Sequence, residues 1–116
     1  MSVIKISSFT NEAASELKGI ELKNIMEPLL KDSSSFSVDF EDIFMFASPF
    51  FNNSFAKLAL IYGFDLIKSI PLLNISDIGK LAYDTSLENA LLLSINPEYT
   101  DKINDIINSN TPKKDV

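Results

Sequence analysis

A small α/β fold is the architecture to expect of this chain: a mixed sheet of about four strands covered by three to four helices, in the order β-α-β-α-β-α-α. Three observations lead there. The run Phe36-Ser37-Val38-Asp39-Phe40 alternates apolar and polar residues strictly, which is the period of a strand with one face in a core. Leu22, Ile25, Met26, Leu29 and Leu30 recur at helical spacing just before it. Ser48-Pro49 just after it is a helix start, because proline at the first helical position gives up an N–H that has no intrahelical partner. Strands alternating with helices imply a parallel or mixed sheet under helices.

The elements follow in order. Val3-Ile4-Lys5-Ile6 is short and β-branched, a first strand. Gly19 weakens any helix begun before it, so the first helix is expected from about residue 19 to 30, with Lys23 and Glu27 on its outer side. Pro28 should kink or end it. Residues 31–35 are a polar turn, residues 36–40 the second strand, and Glu41-Asp42 another turn. The apolar run 43–46 covers the core or hides a fourth strand. A helix capped by Ser48 then runs to about Tyr62, stopped by Gly63, with Phe51, Phe55, Leu58, Ala59 and Tyr62 on its buried face. Residues 65–70 resemble a strand limited by Pro71. Ser76-Asp77 caps a further helix, and Thr85-Ser86-Leu87-Glu88 fits a capping box that would restart it as a well-buried segment to Ser94. Asn96-Pro97-Glu98 opens an amphipathic terminal helix carrying Tyr99, Ile103, Ile106 and Ile107. The reading is one domain over residues 1–108, with 109–116 a disordered tail.

Composition excludes much chemistry. The 116 residues contain no His, Cys, Trp, Arg or Gln, and all ten basic residues are Lys. This removes thiol catalysis, a Ser-His-Asp triad, imidazole or thiolate metal sites and disulfides. Sixteen acids against ten lysines give a net charge of −6, the wrong sign for displacing counterions from nucleic acid. No apolar run approaches the ~20 residues that span a bilayer, and no signal peptide opens the chain. A cytoplasmic protein without cofactor or metal is the expectation.

One region is less generic: Val38-Asp39-Phe40-Glu41-Asp42-Ile43, then Ala47-Ser48-Pro49-Phe50-Phe51-Asn52-Asn53-Ser54-Phe55. With the first strand at residues 3–6, the helix after Gly19, and Asn74-Ile75-Ser76 as a strand-to-helix junction, it resembles the STAS-like domain family, related to the STAS domains of bacterial anti-sigma factor antagonists. The resemblance covers roughly residues 3–95. It implies a sheet-and-helix regulatory module that binds a protein partner and carries out no chemistry. In the related domains that partner is a histidine-kinase-like ATPase, which phosphorylates a serine at the start of this helix. By position the acceptor falls at Ser48 or at Pro49. The usual Asp-Ser-Ser-Gly is replaced here by Ala47-Ser48-Pro49-Phe50, so the preceding acid is missing.

The candidate docking residues are therefore Ser48, Pro49, Phe50, Asn53, Ser54, Lys57 and Asp39. Ser48 is either a plain N-cap or a phosphorylation site, where a phosphate would bring roughly −2 charge. Phe50 lines up with the polar residues Asn53, Ser54 and Lys57, either packed under loop 43–46 or exposed as an aromatic anchor. Asp39, at the C-terminal end of a strand, is a turn acid or a contact residue. Asp39, Glu41 and Asp42 together suggest a hard-metal site, but no second cluster of ligands with defined spacing supports them, and acids at a turn are ordinarily just solvated. Two other functions compete: a structural homo-oligomer pairing through loop 43–46, and a small acid–base hydrolase subunit using Asp39, Glu41 or Asp42.

Overall fold

The computed structural model describes residues 2–96. Strand β1 (Ser2–Lys5) leads through a 3-10 turn at Ile6–Ser8 to helix α1 (Glu16–Lys31). Strand β2 (Phe36–Asp39), helices α2 (Ser48–Asn52), α3 (Phe55–Tyr62) and α4 (Phe64–Lys68), strand β3 (Leu72–Leu73) and helix α5 (Asp77–Ile95) follow. The expected terminal helix beyond Asn96 and the tail at 109–116 lie outside the described residues.

The sheet has three strands, not about four, and both pairings are parallel in the order β1-β2-β3. Ser2 pairs with Phe36 and Lys5 with Asp39, while Val38 pairs with Leu72. The run 43–46 contributes only a single bridge, between Phe46 and Ala13. Residues 65–70, expected as a strand, are instead mostly α4, and the third strand begins only after Pro71. Proline offers the sheet an acceptor and no donor. The Pro71 carbonyl accepts from Val38 N at 3.0 Å, so pairing starts there rather than before it. β2 is central and buried on both faces, Ser37 and Asp39 included, as a parallel sheet covered by helices requires.

Helix α1 begins before Gly19 rather than after it. Ser15 caps it, accepting from Lys18 N at 3.1 Å. Gly19 is a contact residue: a Cβ on it would lie 2.4 Å from the Phe50 carbonyl oxygen, so only glycine lets α1 and α2 approach this closely. Pro28 falls in the last turns, and the helix continues three residues past it to Lys31. Lys23 and Glu27 do not form an outer face. Buried Lys23 donates to Glu27 Oε1 at 2.9 Å, and Tyr62 Oη donates to Glu27 Oε2 at 2.9 Å, tying α1 to α3.

The helix expected from Ser48 to Tyr62 breaks at Asn53-Ser54. Both residues turn their side chains back on α2: Asn53 Nδ2 donates to Pro49 O at 2.8 Å and Ser54 Oγ to Phe50 O at 2.7 Å. Such local bonds compete with the helical ladder. α5 runs unbroken through the apparent capping box at Thr85-Ser86-Leu87-Glu88, and within that stretch Ser86 Oγ donates across to Asn52 Oδ1 at 2.6 Å, tying α5 to α2. Its C-terminal half is less buried than expected, with Leu91, Leu92 and Ile95 exposed. The core is rich in aromatic contacts. Phe51 lies 5.2 to 6.3 Å, ring to ring, from Phe40, Phe46, Phe50, Phe55 and Tyr83.

Candidate interaction site

The loop from β2 to α2 has the form its anchors dictate. After Asp42, at φ 68°, Ile43 N donates to Phe40 O at 3.0 Å and the Ile43 side chain is buried. The far end is tied to residue 13: Ala13 N donates to Met45 O at 2.9 Å, and Ala47 N to Ala13 O at 3.0 Å. Phe46 turns inward, its ring 6.2 Å from Phe40 and 6.3 Å from Phe51, in the space left by Gly79. With Ile43 and Phe46 held inside, the residues between them are forced out. Phe44 is 83% exposed and Met45 58% exposed.

Helix α2 follows at once. Ala47, extended at φ −150° and ψ 155°, occupies the N-cap position, and Ser48 is already helical. Ser48 is therefore not the cap that the serine-proline pair suggested, and no side chain caps this helix. Ser48 and Pro49 are both exposed beside the Phe44-Met45 pair in sequence.

The other candidate residues do not join that surface. Phe50 is fully buried, edge-to-face with Phe51 at 5.2 Å, so it cannot serve as an exposed anchor without unfolding α2. Ser54 is buried too, its hydroxyl spent on Phe50 O. Lys57 is 1% exposed and donates to Asn53 Oδ1 at 3.2 Å, on the side of α3 facing α5. Asp39 accepts from Asn74 Nδ2 and from Glu41 N, both at 2.9 Å. Those two bonds hold its carboxyl below the ordinary carboxylate range, Asn74 contributing most. Asp39 is thus a turn acid that pins β2 to the junction at Asn74, which itself sits at φ 56°. Glu41 pairs with Lys5 at 3.2 Å, in solvent. Among the described residues no group of acids is arranged to hold a metal ion, and no described helix is long and apolar enough to cross a membrane.

Of the two positions open to Phe50, the structure shows the packed one, and the exposed aromatic of this region is Phe44. Phe44 belonged to a run of four apolar residues taken together as cover for the core. The run follows no simple period, Ile43 and Phe46 facing in and Phe44 and Met45 facing out, so no local signal marked Phe44.

Comparison with known proteins agrees with this architecture at one level. A family model described as a STAS-like domain of unknown function (DUF4325) matches residues 18–80, from within α1 through β2, the exposed loop, α2 to α4 and β3 to the start of α5. Neither a curated protein nor a solved structure matches. The match takes in more than half of the chain and the whole segment that carries the exposed pair, and the protein belongs to the STAS-like domain family.

Proposed function

We propose that the protein is a non-enzymatic regulatory module that docks a protein partner through the loop at 43–47 and the exposed start of α2. The observation that carries this reading is Phe44, an aromatic side chain held out in water by a loop anchored at both ends. A rigidly presented aromatic beside a methionine is the composition of an interface hot spot, and little ordering entropy is lost when it binds. The acids Glu41 and Asp42 lie exposed next to it, so the fitting partner surface is an apolar pocket with a basic rim. The absence of His and Cys, and the engagement of Asp39 within its own turn, favour binding over catalysis. The STAS-like character of the chain makes a histidine-kinase-like ATPase the first partner to test, with the exposed Ser48 hydroxyl within the same surface as its phosphorylation site.

The test is affinity capture of the tagged chain from its native host, in parallel with a Phe44→Ser variant. The expected result is an ATPase retained by the wild type and lost from the variant, with no change in melting temperature. Equal capture by both proteins would refute the loop as the contact. The same exposed loop favours a second reading, pairing of two copies, which light scattering separates: a dimer that Phe44→Ser converts to monomer assigns the loop to self-association.

A further inference from the structure

Helix α5 carries a second apolar face, turned away from the core. Its inner side, with Tyr83, Leu87 and Ala90 buried, packs on α2 and α3. On the far side Ile78, Leu81, Thr85, Glu88, Leu92 and Ile95 are all exposed. They recur at alternating intervals of three and four residues, the spacing of the contact seam of a coiled coil, and at 3.6 residues per turn they fall in one stripe about 100° wide. The four aliphatic members, Ile78, Leu81, Leu92 and Ile95, are 72%, 66%, 61% and 68% exposed. A helix that is apolar on two opposite sides is ordinarily buried on both. The inner face of α5 has its partners within the fold, and the outer seam has the form of a face that meets another helix.

We infer that two copies of this chain pair along this seam, α5 against α5, antiparallel about a two-fold axis. The seam reads the same from either end. In one antiparallel register Ile78 stands opposite the partner's Ile95, Leu81 opposite the partner's Leu92, and Thr85 opposite the partner's Glu88, so all six positions are matched at once. The polar centre selects that register. The Thr85 hydroxyl can donate to the partner's Glu88 carboxylate, twice across the axis. A parallel pair would instead stack the two Glu88 carboxylates on each other, and an antiparallel pair slipped by one heptad would set Glu88 against an aliphatic side chain. The surface available is enough for a weak dimer. α5 has 19 residues and is about 28 Å long. A whole aliphatic side chain offers roughly 100 Å² of apolar surface, so the exposed parts of these four and of flanking Leu91 leave about 300 Å² on each copy. At an apolar share of roughly 60%, the pair would bury about 1,000 Å² in total, the lower bound of a specific contact. This contact is separate from the Phe44 loop and does not depend on it.

The experiment is light scattering on the full chain from about 10 μM to about 1 mM, in salt sufficient to screen the −6 charge on each copy. Monomer should give way to dimer within that range. Leu81→Glu, at an exposed position, should move the midpoint upward at least about tenfold without lowering the melting temperature of the monomer, and Phe44→Ser should leave the dimer intact. Cross-linking then reads the register, since the chain has no cysteine of its own. Leu81→Cys and Leu92→Cys should form a disulfide when the two variants are mixed and oxidised, and neither should do so alone. In the inferred register Leu81 and the partner's Leu81 lie eleven positions apart, about 16 Å along the axis, whereas a bridge needs Cα atoms within about 7 Å. A chain that stays monomeric throughout, including the case in which the residues after Asn96 cover the seam, would overturn the proposal. So would variants that cross-link with themselves as readily as with each other, or a dimer that survives Leu81→Glu and is lost in Phe44→Ser.

Discussion

Gly19→Ala is the sharpest test of how the interaction surface is held. The new Cβ would lie 2.4 Å from the Phe50 carbonyl oxygen and 3.1 Å from the Phe50 carbonyl carbon and Cα. An ordinary carbon–oxygen contact is about 3.3 Å, so α2 would have to withdraw by roughly 0.9 Å. It cannot do so freely. Phe50 and Phe51 are fully buried, and the same carbonyl accepts the Ser54 hydroxyl at 2.7 Å. In a solvent-facing helix position the substitution would gain about 1 kcal/mol of helix propensity. Overpacking against backbone costs about 1–3 kcal/mol and here belongs at the upper end, which leaves a net loss of about 2 kcal/mol. For a domain of this size that is a fall in melting temperature of about 8 °C. The assay is thermal unfolding followed by circular dichroism, with Asn24→Ala, exposed on the same helix, as the reference for propensity alone. If Gly19→Ala melts at or above the wild type, as Asn24→Ala should, then α1 and α2 do not touch at this point and the geometry derived for the loop and α2 is wrong.

Other perturbations separate core from surface. Phe50→Ser should cost at least about 3 kcal/mol in denaturant unfolding, whereas Phe44→Ser should stay within about 0.5 kcal/mol; similar losses at both positions would contradict their opposite burial. Ser48→Ala should change stability by no more than about 0.5 kcal/mol, because its hydroxyl caps nothing. Ser76→Ala should cost about 1 kcal/mol, because Ser76 Oγ accepts from Gly79 N at 3.2 Å; the reverse order would reassign the caps. Burial, with a smaller part from the Asp84 charge, pushes the Tyr83 phenol up to about 12. A raised phenol keeps its contribution to stability below its unfolded value of about 10. The contribution is then lost as pH climbs through about 12. Phenolate absorbance compared between wild type and Tyr83→Phe should show one tyrosine missing from the late part of the titration, and a Tyr83 that ionises at the ordinary value would refute its packing between Phe51 and Phe55.

The parts of the fold legible in the chain are those set by neighbours in sequence. The spacing of Leu22 and Met26 marked α1, the alternation at 36–39 marked β2, and Ser76 marked the start of α5, because each depends on contacts within a turn or two. Gly19 was misread as a weak point, since the reason for a glycine there is the Phe50 carbonyl, thirty-one positions away. Residues 65–70 were misread as a strand because a short apolar run fits either period, and Pro71 decides only where sheet pairing starts.

For the candidate sites the division is sharper. Composition alone removed most catalytic chemistry, and the serine-proline pair alone located the start of α2. Which side chains face water was decided elsewhere. Phe44 is outside because Ala13 grips the backbone on either side of Phe46, and Phe50 is inside because Gly19 lets α1 close over it. Lys57 is buried because Asn53 and Ser54 bend the chain back on α2 and turn α3 toward α5. Local pattern determines which elements form; burial is a property of surfaces brought together over long separations, and only the packed molecule assigns it.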